Sequence, residues 1–485
     1  MRSSTAIAVS CSGLFLAAPA SAQTVEDLQR QILELKAQVE ALRAERNAEL
    51  ATARPGAAPA APPSAVASAP AAQAPATLAP VGQSSPPQLA TAASSKEKPK
   101  NGDHWYDRLK LRGYTQMRYN AFIDGDDTAP SGRSRLRSVH DSSINENGGF
   151  SLRRARLILQ GDLSDHVSLY FQSDFASAVN AQSNGERREH YVQLRDAYAD
   201  VFLTGDHTLK VRLGQSKVPF GWENLQSSSN RLTLDRSDAI NSAVPSERDL
   251  GVVLFYTPTR VQRIWARLLK AKQKTFGNYG AFALAAYNGQ GVNRTEQNKG
   301  LATYAMATWP FELDGLGGAF RGQVLEVGGT AMLNKIRPEL RTGGVSDADF
   351  TDNHFGVHAI LYPQPFGLQA EWTKGRSPQY NDALRAIRVT DASGGYVQAM
   401  YDVGDVGLGR LMPYGRWQHY RGGWKASTNS PRLETDEIEV GVEWQIFDAL
   451  ELTLAYANMK RREADERRAG RAEGNLIRTQ VQWNY

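Results

Sequence analysis

Short runs in which apolar and polar side chains alternate fill the chain from residue 105 to its C-terminus. The run EIEVGVEWQIF places Ile438, Val440 and Val442 on one face and Glu439 and Glu443 on the other. The last eight residues, RTQVQWNY, continue this pattern up to an aromatic final residue. A period of two predicts β-strands with two chemically different faces. Such strands fit either a β-sandwich or a barrel whose outer face contacts lipid.

The number of runs and the lengths of their connections favour the barrel. About 380 residues, at roughly 22–25 per strand and connection, predict about 16 strands. Some connections are long and hydrophilic, such as residues 124–149, whereas Phe447-Asp448-Ala449 leaves room for only a short turn. Aromatic residues often lie near the ends of the runs. We therefore predict an all-β protein, a transmembrane antiparallel β-barrel of about 16 strands at residues 105–485.

The first 22 residues have the features of a secretory signal peptide. Arg2 supplies a positive charge, a mostly apolar stretch follows, and Ala20-Ser21-Ala22 is a small-residue cleavage site. The single cysteine, Cys11, lies inside this segment, and a lipid-attached cysteine is the alternative interpretation. An exported chain that has no cysteine after cleavage cannot depend on disulfides. Export of a chain without disulfides suits a protein of the bacterial envelope.

Two further segments precede the predicted barrel. Residues 24–50 carry apolar side chains at alternating spacings of three and four, which predicts a short coiled coil. A solitary amphipathic helix against the barrel mouth is the alternative. Residues 51–104 are rich in Ala and Pro and cannot bury a core, so we predict a disordered linker.

Composition excludes some classes of function. The mean hydropathy is −0.46, and no apolar run after the N-terminus is long enough for a transmembrane helix. The formal net charge of +5 is small for 485 residues, so nucleic acid is not an expected partner. One stretch, VQRIWARLLKAKQK, fits both a basic amphipathic helix and a strand followed by a basic turn. The sequence does not decide between them.

Several stretches resemble the phosphate-selective porin O and P family of Gram-negative outer membranes. They are FSLRRARLILQGDLSDHVSLYFQSDFA, LRDAYADVFL, LKVRLGQSKVPFGWENLQSSSNRLTLDRSDAI and RDLGVVLFY, in the same order as in the family. The most specific parts are the RRARL strand and the turn that contains KVPFG. The resemblance extends over residues 105–485 and implies a sixteen-stranded, trimeric barrel that passes anions. It also implies that the protein lies in the cell outer membrane of a Gram-negative bacterium.

Passage of phosphate requires hydrogen-bond donors that replace water at several weak sites. Arginine suits this role because its planar guanidinium remains charged and presents a fork of donors. Alternation in RRARLILQG places Arg154 and Arg156 toward the lumen. Arg153 then points outward or lies at the membrane interface, unless a bulge shifts the register. The same argument in LKVRLGQ places Lys210 and Arg212 inward.

Three more basic residues complete the predicted anion path. Lys217 lies where its strand turns, and Arg231 and Arg236 lie in the loop that follows, where an inward fold would form the constriction. Pairing with carboxylates is the structural alternative for each of these basic side chains. The available carboxylates are Asp174, Asp196, Asp200, Glu371, Glu439 and Glu443.

The predicted function is passive diffusion of small anions, with phosphate and polyphosphate as candidate solutes. The alternatives are a barrel-borne hydrolase and an envelope-linking protein that acts through its coiled coil. We find no catalytic motif, and His354 and His358 are too far apart along a strand to bind one metal ion, so we expect no enzyme activity, metal or cofactor.

The expected partners are outer-membrane lipid, small anionic solutes and two further copies of the chain in a homotrimer. The C-terminal run predicts a strand that closes the barrel against the first strand, near residues 109–119, with Thr479, Val481, Trp483 and Tyr485 facing lipid. A terminal aromatic in this pattern also resembles the signal that the outer-membrane assembly machinery reads, so we expect Tyr485 to contact that machinery.

Overall fold

The computed structural model describes residues 104–126, 149–177 and 191–485, together with Ala37, Glu40, Leu136, Asp141 and Ile144. The chain divides into two units, Met1–Ala79 and Pro80–Tyr485, and all described strands belong to the second. The predicted signal peptide, coiled coil and linker lie outside the described residues, apart from Ala37 and Glu40, which are helical, and His104.

Sixteen antiparallel strands of the described chain close into one barrel, as the alternation predicts. Each strand pairs with its neighbours in sequence, and the first strand also pairs with the last. The strands are β1 (Leu109–Gly125), β2 (Gly149–Ser164), β3 (Val167–Ser177), β4 (Tyr191–Phe202), β5 (Leu209–Lys217), β6 (Arg248–Tyr256), β7 (Phe282–Tyr287), β8 (Ala302–Glu312), β9 (Val324–Leu333), β10 (Asn353–Leu361), β11 (Phe366–Asn381), β12 (Ala386–Tyr401), β13 (Arg410–Gly423), β14 (Arg432–Phe447), β15 (Leu450–Ala464) and β16 (Ala472–Asn484).

Short elements lie in the connections. Two-residue strands occur at Lys335–Ile336, Phe350–Thr351 and Gly404–Asp405, and 3-10 turns at Trp105–Arg108, Ser228–Asn230, Asp314–Leu316 and Gly318–Phe320. The α-helices are α1 (Trp222–Leu225), α2 (Asp238–Ala243) and α3 (Thr259–Lys270). No helix in the described part of the chain is long and apolar enough to cross a membrane.

The closing strand confirms the phase predicted for RTQVQWNY. In the pairing of β16 with β1, Asn484 lies opposite Tyr114, and Thr479 lies opposite Tyr119. Trp483 is 39% exposed on the outer face, whereas Gln480 and Gln482 are buried toward the lumen. Closure leaves no unpaired edge in the lipid, which a membrane-spanning sheet requires.

The two faces of the other strands follow the same rule. Ile438 and Val440 of β14 are more than half exposed on the outer face, whereas Glu439 and Glu443 are buried inside. The turn between β14 and β15 is short, as predicted, because β14 ends at Phe447 and β15 begins at Leu450. An apolar outside and a polar inside are typical of an outer-membrane barrel.

The lumen is partly filled by two connections that fold inward. Residues 218–247, between β5 and β6, form the inner loop, which contains α1 and α2 and is almost entirely buried. Residues 257–281, between β6 and β7, form a second inward segment, the strap, which begins with α3. The stretch VQRIWARLLKAKQK, which the sequence left open, is therefore helical from its first residue to Lys270.

An apolar core inside the barrel joins the inner loop to the strap. Phe276 of the strap packs against Trp222 of the inner loop, at a ring-centroid distance of 5.9 Å, and against Trp265 of α3, at 5.2 Å. Val261 and Leu268 of α3 are buried in the same cluster, beside side chains of β6 to β10. This core fills the lumen along β6 to β10 and leaves open space along β1 to β6.

Glu326 of β9 fixes both inward segments to the barrel wall. Its carboxylate accepts hydrogen bonds from the indole nitrogens of Trp222, at 3.1 Å, and Trp265, at 2.9 Å. The hydroxyls of Thr308 and Tyr362 donate to the same carboxylate, each at 2.9 Å. One buried carboxylate therefore has four donors from the loop, the strap and the wall, which satisfies its need for partners away from water.

Candidate permeation site

A cavity of about 240 Å³ lies between the strands β1 to β6 on one side and the inner loop and strap on the other. Its basic lining residues come from the turn before β1, from the start of β1, and from β2, β5 and β6. Three aspartates and three tyrosines share the lining. The charged and tyrosine side chains are Arg108, Lys110, Arg112, Arg156, Arg212, Lys217, Arg248, Asp162, Asp196, Asp200, Tyr170, Tyr198 and Tyr279.

The alternation argument correctly predicted the direction of Arg156, Lys210 and Arg212. All three are buried on the lumen side, and Arg156 and Arg212 line the cavity. Each also has a carboxylate partner. Arg156 Nε is 2.8 Å from Asp174 Oδ2, and Lys210 Nζ and Arg212 Nε are 2.8 and 2.7 Å from the two carboxylate oxygens of Asp200.

Arg154 faces inward but lies outside the cavity lining. Its Nη1 donates to Gln116 Oε1 at 2.7 Å. Arg153 is the case in which the bulge exception of its prediction applies, because the β1–β2 register shifts beside Gln116 and leaves Arg153 in a bulge. Arg153 Nη2 instead lies 3.9 Å from Asp235 of the inner loop.

Among the predicted site residues, Lys217 both lines the cavity and contacts the inner loop. Its ammonium donates to the carbonyl oxygens of Asn224 and Gln226, each at 2.8 Å, and to that of Leu225 at 3.3 Å. Asn224 and Leu225 are the last residues of α1 and Gln226 follows them, so the Lys217 ammonium satisfies backbone acceptors at the end of a short helix. Lys217 has no carboxylate partner in the described chain and lines the cavity.

Arg231 and Arg236 lie in the inner loop, which folds inward. Arg231 lies 4.0 Å from Glu223 and lines a separate, smaller cavity. Burial lowers the pKa of Arg231 to about 10, so the guanidinium remains charged at neutral pH. Arg236 pairs with Glu247 at 2.8 Å and donates to Asn224 Oδ1 at 2.6 Å. Neither residue lines the larger cavity.

The unpaired charges around the cavity are mostly positive. In the described part of the chain, Arg108, Lys110 and Arg112 form no salt bridge, although Arg112 Nη2 donates to Gln160 at 2.9 Å. Lys217 has only carbonyl partners. Asp162 is the one lining carboxylate that lacks a basic partner within the described residues. The local field at the cavity is therefore positive.

The sequence also matches the profile of a known protein family. The profile of the family described as "Phosphate-selective porin O and P" matches residues 134–485, well over half of the chain. The chain belongs to this family. It is accordingly an outer-membrane porin of a Gram-negative bacterium, and the closed sixteen-stranded barrel is the fold expected of a porin. No curated protein matches the sequence.

Solved porin structures resemble this porin in fold. The outer membrane channel DcaP of Acinetobacter baumannii is 16% identical, with 78% of this chain and 97% of that chain covered and a TM-score of 0.46. OmpF of Salmonella typhi, in complex with daunomycin, is 11% identical, with coverages of 78% and 97% and a TM-score of 0.47. An anion-selective porin from Comamonas acidovorans is 11% identical, with coverages of 78% and 99% and a TM-score of 0.45.

Sequence reasoning missed the arginines that hold the inner loop of this porin. Arg118 of β1 and Arg478 of β16 pair with Asp235, at 2.9 and 2.6 Å. Arg416 of β13 pairs with Glu223 at 2.7 Å, and Arg461 of β15 pairs with Asp238. Alternation contained part of the signal, since Arg478 shares the inward face of Gln480 and Gln482. The carboxylates of the loop could not be assigned to these arginines from the sequence.

The carboxylates that the sequence offered as pairing partners behave mostly as expected. Asp196 pairs with Arg248 at 2.8 Å, Glu439 with Arg478 at 3.4 Å, and Glu443 with Lys274 at 2.7 Å. Glu371 is different, because its two oxygens accept the backbone N–H groups of Trp222 and Glu223 at the start of α1.

The histidines have local partners. His354 Nε2 lies 3.1 Å from Asp352 Oδ1, and His358 Nε2 lies 2.8 Å from the hydroxyl of Thr308. Across the residues that the structure describes, no group of His, Cys, Asp or Glu is arranged to hold a metal ion.

Proposed function

We propose that this porin is a passive diffusion channel that prefers small anions and has no catalytic activity, and that phosphate and polyphosphate are among its solutes. The observation that carries the proposal is the charge of the cavity lining, where seven basic side chains face three carboxylates. A channel's selectivity follows from all of its lining charges together.

The pairing of these charges supports an anion path made of several weak sites. Arg156, Arg212 and Arg248 are held by carboxylates, so they bind an anion less strongly than free guanidinium groups would. Arg108, Lys110 and Arg112 have no such partners in the described chain. A permeant ion must leave each site as well as enter it, and weak sites in sequence permit both.

The predicted site residues divide into two groups in this proposal. Arg156, Arg212 and Lys217 line the cavity and would contact the anion directly. Arg154, Lys210, Arg231 and Arg236 lie behind the lining or in the inner loop, and would contribute to the positive field without contact. We further propose a homotrimer in the outer-membrane lipid, assembled through recognition of Tyr485, and we propose that no cofactor takes part.

Charge reversal at the unpaired cations tests the proposal. The triple variant R108E/K110E/R112E removes no salt bridge within the described chain, so the barrel should fold. Reversal potentials in planar bilayers under a KCl gradient should show that the anion preference of the wild type is lost or inverted in the variant. Repetition with potassium phosphate tests phosphate against chloride.

A single exposed arginine provides the control. Arg376 lies in the second half of β11, with its side chain 64% exposed, and pairs loosely with Asp391 at 3.9 Å. R376E should retain the wild-type reversal potential. A wild-type channel that prefers cations, or a triple variant with unchanged selectivity, would contradict the proposal.

A further inference from the structure

A stack of aromatic and guanidinium groups lies in the wall of the cavity. The rings of Tyr170 on β3 and Tyr198 on β4 are stacked, with centroids 5.1 Å apart and planes inclined by 9°. The guanidinium carbon of Arg212 on β5 lies 3.8 Å from the centroid of Tyr198. Because β4 lies between β3 and β5, Tyr198 lies between Tyr170 and Arg212.

The position of Tyr170 leaves its ring available to a solute. Tyr170 is partly exposed, and its inward-facing neighbour on β2 is Gln160, not a second aromatic ring. Gln160 is itself held by Arg112 of β1, at 2.9 Å. The side chains that follow one another across the wall are therefore the partly exposed Arg112, the amide of Gln160, the stacked rings of Tyr170 and Tyr198, and the buried Arg212.

The rest of the lining adds apolar surface to this row. Ile158, Leu225 and Phe276 line the same cavity, and Tyr279 lies on the strap side with its ring 5.1 Å from the guanidinium carbon of Arg212. An inorganic anion needs only hydrogen-bond donors and gains nothing from aromatic faces. An anion that carries an aromatic ring can contact both the basic side chains and the aromatic side chains of the lining, since aromatic rings attract one another in offset or stacked geometry.

We propose that the cavity binds carboxylates that carry a single aromatic ring, with the ring on Tyr170 and the carboxylate on Arg112 and Lys110. This proposal rests on the anion preference proposed above and names an organic solute class for the same path. The cavity of about 240 Å³ is smaller than the pockets of about 300–1,000 Å³ that take drug-sized ligands, which fits a one-ring solute.

Block of the chloride current by two matched probes tests the proposal. Benzoate and cyclohexanecarboxylate carry the same charge and similar bulk, but only benzoate has an aromatic face. In single-channel recordings at neutral pH, benzoate should halve the chloride current of the wild type at a concentration about 2- to 12-fold below that of cyclohexanecarboxylate. Y170L should remove this difference, and Y170F should retain it because the ring remains.

A lipid-facing aromatic on the same strand provides the control. Phe171 is 47% exposed on the outer face of β3, and F171L should keep the wild-type ratio of the two blocking concentrations. Equal block by the two probes in a wild-type channel that still prefers anions would overturn this inference and leave the proposed function intact. If F171L changed the ratio of the two blocking concentrations as much as Y170L does, this inference would likewise be overturned and the proposed function would stand. A wild-type channel that prefers cations would overturn the proposed function and this inference with it.

Discussion

Removal of one carboxylate should release the inner loop from the barrel wall. Asp235 lies in the loop with its side chain 6% exposed, and it pairs with Arg118 of β1 at 2.9 Å and with Arg478 of β16 at 2.6 Å. These two strands form the seam that closes the barrel. The substitution D235N keeps the shape of the side chain and removes its charge.

The size of the effect follows from the burial of this cluster. Loss of one partner from a buried ion pair costs about 3–5 kcal/mol, because the remaining charges stay desolvated. Asp141 also pairs with both arginines, at 2.6 and 2.8 Å, and retains part of their stabilisation. We therefore expect D235N to cost about 3 kcal/mol, the lower end of this range. This cost shifts the equilibrium between the bound and the released inner loop by about 100-fold.

Single-channel conductance measures this shift, because a released inner loop widens the path. D235N should show a larger conductance or frequent transitions to a larger one. D391N is the matched control, since Asp391 is 87% exposed in its pair with Arg376, and exposed pairs contribute only about 0–1 kcal/mol. Identical conductance traces for D235N, D391N and the wild type would refute the reasoning.

Three further predictions concern pH, the strap and assembly. Burial alone would raise the pKa of Asp141, but the guanidinium of Arg118 outweighs burial and holds that pKa at about 2. The pKa of an aspartate in the unfolded chain is about 3.9. The ionised Asp141 therefore contributes its full stabilisation above about pH 3.9, and this stabilisation is lost as the pH falls to about 2. The conductance should therefore be constant between neutral pH and about pH 4 and should rise only below that range. K274A should increase the conductance and weaken the anion preference, because Lys274 ties the strap to Glu443 at 2.7 Å and its loss exposes a carboxylate; an unchanged reversal potential would contradict this. Deletion of Tyr485 should lower the yield of heat-modifiable folded barrel on gels far more than deletion of Gly343 in a loop, because the Tyr485 backbone pairs with that of Gly113 through bonds of 2.6 and 3.0 Å.

Strand alternation predicted most of the barrel because lipid outside and polar groups inside impose a period of two on every strand. Lys210 and Arg212 have the predicted direction for this reason, and so does the closing strand with Gln480 and Gln482. At Arg153 the exception that the argument allowed applies, since a bulge shifts the register by one residue. A bulge leaves no mark in the alternation of the strand on which it occurs.

The contents of the lumen were harder to predict because they depend on contacts between distant segments. The sequence around α3 fits helix and strand equally. In the folded chain it is a helix, whose Trp265 packs against Phe276 of the strap. The two closest basic partners of Asp235, Arg118 and Arg478, come from the first and last strands, more than 100 residues away in either direction. Local sequence patterns therefore predicted the strands of the barrel wall, whereas the arrangement of the segments inside the lumen required the three-dimensional structure.

The sign of the reversal potential of the wild-type channel under a KCl gradient tests the central claim most directly. Arg108, Lys110, Arg112 and Lys217 line the cavity without a carboxylate partner among the described residues. They predict that chloride crosses more readily than potassium, so the potential should have the sign of an anion-preferring channel. A potential of the opposite sign would contradict the account.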